Sequence, residues 1–192
     1  MKYPPHPLQR KEVEALLKAC RGGFAGRRNR AHVALLYRTG IRAGESCSLL
    51  CSDLEQRDGA TVIRVRASKS GADRDLALDG RALNLLEEWL KTRALLRGEE
   101  QDGPLFCTRT GKAVGTPYLR QLFPRLARYA GISRRVHPHA LRHTFARELY
   151  DENNGVVEIQ LALGHRKIAT TQVYLQSIGA TEVNAILRRR RW

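Results

Sequence analysis

Four short stretches combine residues able to act on a phosphate ester. The first is His139-Ala140-Leu141-Arg142-His143, directly after Pro138. Pro138 is a natural first residue of a helix, and His139 and Arg142 then share one helical face in its opening turns. Unpaired N–H groups there favour an anion. An arginine grips a phosphate with two parallel hydrogen bonds, and a histidine beside it can exchange a proton near neutral pH. The second stretch is Leu163-Gly164-His165, where Gly164 ends a predicted helix in a left-handed conformation and so aims His165. The third is Tyr174, after Ile168-Ala169-Thr170-Thr171, one of six tyrosines, a residue type whose proton, with a pKa of about 10, leaves at neutral pH only with help. The fourth is Thr39-Gly40-Ile41-Arg42-Ala43-Gly44-Glu45, in which Gly40 breaks one helix, Arg42 opens the next, and Glu45 lies one turn on, able to hold the Arg42 side chain. Taken singly, each fragment has an ordinary explanation: surface histidine and arginine, a cap glycine, a packed tyrosine, an acid complementing a helix dipole.

The elements that must position these groups follow from periodicity. Residues 10–20 read as a helix with Val13, Leu16, Leu17 and Cys20 on one face. A glycine-rich break at 21–26 precedes a helix over 29–38 that stops at Thr39-Gly40, and a short helix covers about 43–50. The period then changes. Segments 53–56 and 61–66 flank Asp58-Gly59, a favoured hairpin turn, and 74–78 returns as a third strand. The polar turn before it contains Lys69. Asp79 is a plausible N-cap for a helix to Arg97, with Leu83, Leu86, Trp89 and Leu90 inward and Gly98 as the stop. Leu105-Phe106 is a short buried segment. Thr116-Pro117 reads as N-cap and N1 of a helix to Tyr129, with a kink expected at Pro124. Helices over 138–151, 156–163, 170–174 and 182–187 complete the chain. The fold class is mainly α with a small antiparallel β-sheet.

Composition narrows the partners. The 192 residues carry 34 Lys and Arg against 19 Asp and Glu, a formal net charge of +15, which draws polyanions and nucleic acid first. An anionic membrane surface is a weaker candidate, because no basic amphipathic segment with an aromatic-rich opposite face is present. No apolar run approaches a membrane span, and no secretory signal begins the sequence, so an intracellular protein is expected. Cys20, Cys47, Cys51 and Cys107 lack a zinc-type spacing and are expected as thiols; no metal site is expected.

The order Arg42 in a TGxRxxE setting, Lys69 in a β-turn, HxxRH at 139–143, LGH at 163–165 and then Tyr174 resembles the tyrosine recombinase (phage integrase) family, over about residues 13–174. The resemblance implies that family's catalytic-domain fold and its chemistry. Arg42 and Arg142 resemble the arginines that clamp the scissile phosphate, and Tyr174 the nucleophile. His139 corresponds to the general base, Lys69 to the acid that protonates the leaving 5′ oxygen, His165 to a hydrogen-bond donor to the phosphate, and Glu45 to an acid that orders the site. His143 is read as structural and His137 as incidental. The implied reaction is transesterification through a 3′-phosphotyrosyl link and a Holliday junction on double-stranded DNA, with no cofactor and a homotetramer on DNA in the cytoplasm of a prokaryotic cell, near the nucleoid. Residues 1–192 are expected as a single catalytic domain with a core over about 10–174. The N-terminal domain of most family members is expected to be absent, whether by excision or in a naturally minimal recombinase. The tail over 175–192, with Val183, Ile186 and Leu187 in an apolar stripe, either docks on a neighbouring protomer or packs on its own core. Two other readings share these features: a DNA-binding regulator without catalysis, and a type IB topoisomerase-like enzyme.

Overall fold

The computed structural model describes residues 7–66, 73–97, 103–152 and 154–164. Seven helices and three strands occur among them: α1 (Arg10–Ala19), α2 (Gly23–Thr39), α3 (Ala43–Cys47), β1 (Leu54–Arg57), β2 (Ala60–Val65), β3 (Arg74–Ala77), α4 (Gly80–Arg97), α5 (Thr116–Tyr129), α6 (Pro138–Asp151) and α7 (Val156–Leu163). The mainly helical architecture with one small antiparallel sheet agrees with the sequence reading. Lys69, His165 and Tyr174 lie outside the described residues, as do Gly98 and the predicted helices over 170–174 and 182–187.

Helix α2 is the axis of the fold. Its second half, His32 to Tyr37, is buried on every side, because α4, α6, α1 and α3 all pack on it. A helix apolar all round belongs in a core. It starts at Gly23, six residues before the expected start at residue 29 and inside the expected glycine-rich break at 21–26. Tertiary packing overrides glycine's weak helix propensity here: Phe24 meets Trp89 of α4 edge-on, with ring centroids 4.8 Å apart. Trp89 is fully buried, and its indole N–H donates to the Leu105 carbonyl at 2.8 Å. That satisfies the one polar group such a ring brings inside. Leu105 and Phe106 are buried as expected.

The sheet has the order β1-β2-β3, all antiparallel. Asp58 and Gly59 both take positive φ, 50° and 77°, which gives the tight reversal between β1 and β2. Ile63 and Val65 point into the core, and Ile63 pairs with Leu76 across β2–β3. Residues 66–73 therefore connect two strands whose register is fixed, and the sequence position of Lys69 falls within that connection.

Boundaries depart from expectation in three further places. Helix α3 ends at Cys47 rather than Leu50, because Leu50 leaves to bridge Pro104 and Cys51 begins a 3-10 turn. The N-cap of α5 is Gly115, with Thr116 already helical, and Pro124 is accommodated inside the helix. Leu83 and Leu90 are only partly buried, while Ala82, Leu86 and Trp89 form the inward stripe of α4. Asp79 does cap α4, accepting the N–H groups of Arg81 and Ala82 at 3.0 and 3.1 Å. The four cysteines form no disulfide, and no described helix is long and apolar enough to cross a membrane.

Gly40 closes α2 with φ +60°, and a Cβ placed on it would lie 2.3 Å from the Phe145 ring of α6. Gly40→Ala adds left-handed strain, typically about 1–3 kcal/mol, to a collision between two packed helices. Urea denaturation should show a loss of at least that size. A loss below about 0.5 kcal/mol, the range of an inert surface change, would mean the α2–α6 junction is not as close as described.

Candidate active site

Arg42 and Arg142 arrive from separate parts of the chain and meet at the end of α7. Arg142 sits in the second turn of α6 and is 2% exposed. Its Nη1 donates to the Gly40 carbonyl and its Nη2 to the Leu163 carbonyl at 2.6 Å. Arg42 is the N-cap of α3, and its Nη2 donates to the next carbonyl, Gly164, at 3.1 Å. Both guanidiniums thus use the last carbonyls of α7, the negative end of that helix. Gly164 makes this possible by turning left-handed, φ +63°, as the sequence predicts.

Glu45 counterbalances the cations. It is buried, with its side chain 6% exposed. One oxygen accepts Arg42 Nη1 at 2.8 Å, and the other accepts the Arg42 backbone N–H at 3.0 Å. The expected Arg42–Glu45 contact is therefore present. A third arginine, Arg74 of β3, donates to both Glu45 oxygens, at 2.8 and 3.3 Å. Sequence reasoning missed it. The only available signal was a basic residue leading a strand that follows the Lys69 turn. Burial pushes the Glu45 carboxyl up, but hydrogen bonds from Arg74 and from the Arg42 backbone, with the Arg74 charge and the Arg42 side-chain hydrogen bond, hold it below the usual carboxylate range.

His139 lines a cleft of about 590 Å³ together with Arg42, Glu45, Arg120, Arg135 and His137. Its imidazole is held below the ordinary histidine range, first by desolvation and then by Arg142 and Arg42. Because His139 is exposed overall, the two guanidiniums are the more durable cause. That direction favours the neutral ring, the form that accepts a proton. His137 is not remote from the site: it caps α6 and faces His139 edge-on, ring centroids 6.3 Å apart. His143 lies half-buried behind them, its pKa pushed down to about 4 by desolvation and by His139, His137 and Arg142. Arg42, Glu45, His139 and Arg142 are brought together; Lys69, His165 and Tyr174 lie outside the described residues, though His165 directly follows Gly164 in sequence. Among the described residues no cluster of three or more His, Cys, Asp or Glu could hold a metal ion.

The sequence profile of the phage integrase family matches residues 7–179. The chain belongs to the phage integrase family. It is 37% identical over 172 residues to the tyrosine recombinase XerC of Azotobacter vinelandii, covering 88% of this chain and 55% of that protein. To XerC of Pseudomonas aeruginosa it is 36% identical, covering 84% of this chain and 52% of the relative. The chain thus spans about half the length of the curated relatives it matches. Its fold superposes on the crystal structure of XerA recombinase with a TM-score of 0.81 at 29% identity, over 99% of this chain and 65% of that one. XerH site-specific recombinase, bound to a palindromic difH substrate in a post-cleavage complex, gives 0.80 at 27%, over 98% of this chain and 54% of that one.

Glu45→Gln removes the carboxylate that two arginines share. Leaving Arg74 buried without it should cost about 3 kcal/mol at pH 7, the usual penalty for breaking one side of a buried pair. A carboxylate whose folded pKa is depressed contributes stability above its unfolded pKa and loses it as pH falls through the folded value. The gap between wild type and Glu45→Gln in urea denaturation should therefore be full at pH 7 and shrink only below about pH 4.5. A gap that is constant with pH would show that the charge of Glu45 is not what stabilises this junction.

Proposed function

We propose that this chain is the DNA-cleaving and rejoining domain of a site-specific tyrosine recombinase. The observation that carries the reading is the convergence of Arg42 and Arg142 on adjacent carbonyls, with Arg42 and His139 lining one cleft, in a member of the phage integrase family. Phosphoryl transfer asks chiefly for positioning and for charge on the non-bridging oxygens. Three guanidiniums against one carboxylate leave the junction cationic, and a bound phosphate diester completes it electrostatically.

In this reading Tyr174 attacks the scissile phosphorus and forms a 3′-phosphotyrosyl bond. The phenolic proton passes to His139. The leaving 5′ oxygen takes its proton from Lys69, in the β2–β3 connection, and departs as a hydroxyl. His165 hydrogen-bonds the phosphate, and Glu45 keeps Arg42 in place. A 5′ hydroxyl from a partner strand reverses the step, and two such exchanges pass through a Holliday junction. The bond energy stays in the phosphotyrosyl ester, so the scheme uses no cofactor. Double-stranded DNA is the partner, supported by the net charge of +15 and by the DNA-bound XerH relative. We further propose a homotetramer on DNA, a tail over 175–192 that docks on a neighbour or on its own core, and action in the prokaryotic cytoplasm near the nucleoid.

The test is covalent trapping with a pool of nicked suicide duplexes that carry a randomised internal segment. A denaturing gel should show a protein–DNA adduct whose peptide map ends on Tyr174, absent in Tyr174→Phe. Sequencing the captured duplexes would also reveal the site. Salt-sensitive binding without any adduct would favour a DNA-binding regulator. Turnover on supercoiled DNA of arbitrary sequence would favour a topoisomerase.

A further inference from the structure

The β2–β3 hairpin reaches the arginine junction through one side chain. Arg74 is the first residue of β3, and both of its terminal nitrogens donate to Glu45. Glu45 is at the same time the anchor of Arg42. The side chains of Arg74 and Glu45 are 9% and 6% exposed, against 28% for Arg42. The buried pair is thus the fixed part, and Arg42 is the more exposed member, lining the cleft with Glu45. Arg74 also lies against α7's end. A Cβ on Gly164 would come within 2.8 Å of Arg74 Nη1 and 3.0 Å of its Cζ. Only glycine lets the guanidinium pass this close.

Arg74 is costly where it stands. Its Nε is buried with no hydrogen-bond partner among the described residues. A buried ion pair seldom stabilises more than an apolar side chain of similar volume. Packing alone therefore does not account for an arginine here. Its position does: it joins β3, α3 and the 163–164 turn, three pieces far apart in sequence. Without it, Glu45 would keep Arg42 as its single guanidinium partner, and that pair would close on itself at the expense of Arg42's contact with the Gly164 carbonyl.

We infer that Arg74 is a positioning residue for strand cleavage: by sharing Glu45 it holds the Arg42 guanidinium against the end of α7, and it ties the hairpin whose connection contains Lys69 to that same point. The inference rests on the proposed role of Arg42. Arg74 acts through Glu45 and touches no reacting atom. The charged groups facing Glu45 are Arg42 from its own helix and Arg74 from β3, and the cleft beyond Arg42 presents His139.

Two measurements test this on the whole chain, with Arg74→Met, which keeps the length without the charge, and Arg74→Lys, which keeps the charge with one donor head. In DNA-free protein, carbon-detected NMR follows the Glu45 carboxyl. Its titration midpoint should rise in Arg74→Met and stay close to wild type in Arg74→Lys. On the captured suicide duplex at saturating protein, Arg74→Met should form adduct about ten- to hundredfold more slowly, the scale of a misplaced catalytic group. Its affinity for the duplex should hold, and Arg74→Lys should recover most of the rate. A wild-type rate in folded Arg74→Met would overturn the inference. So would equal losses in both variants that track a fall in melting temperature, since that is loss of folding. If the unmodified chain forms no adduct, the recombinase reading fails, and the Glu45 titration still decides: an unmoved midpoint in Arg74→Met overturns the coupling, and a raised one supports it.

Discussion

Two neighbouring backbone carbonyls, those of Leu163 and Gly164, hold two guanidinium groups from distant parts of the chain. Arg142 comes from α6 and also binds the Gly40 carbonyl that ends α2; Arg42 comes from the turn just after it. Helix ends carry carbonyls with no partner in their own helix, and those of α2 and α7 find theirs here. The contact therefore satisfies two helix termini and draws two like charges together. Such proximity is unfavourable unless an anion is near, and Glu45 is that anion.

Much of the surrounding architecture serves this junction. The all-round burial of α2 fixes where Gly40 stands, and the left-handed turn at Gly40 lets α6 pass close, with Phe145 on the glycine. Gly164 plays the same part at the end of α7, beneath Arg74. Two glycines therefore sit at the two turns where Arg42 and Arg142 meet backbone. The paired β2 and β3 deliver Arg74 to the same Glu45 carboxylate that holds Arg42. The cleft beside this junction is lined by Arg120 and Arg135 as well as Arg42, so its lining is basic.

Electrostatics and protonation are linked through the same groups. The guanidiniums that favour an anion in the cleft also keep the His139 ring neutral. A nearby phosphate diester would offset part of that cationic field. The arginines thus bear both on the charge that receives an anion and on the proton affinity of the histidine beside it.

The sequence by itself determined the pieces. Helical periodicity located α6 and α7 to the residue, because Pro138 and Gly164 punctuate them with backbone conformations few other residues take. Alternation and Asp58-Gly59 located the hairpin, and the i, i+3 spacing anticipated the Arg42–Glu45 pair. These are local effects, written within a few residues. The tertiary structure decided what local pattern does not encode. It buried Arg142 on two carbonyls, drew His137 into the cleft, started α2 early to pack Phe24 on Trp89, and brought Arg74 across 29 residues of sequence to share a carboxylate with Arg42. Such contacts depend on how helices and sheet pack in three dimensions, and a buried ion pair between distant residues leaves no periodic mark on either stretch of chain.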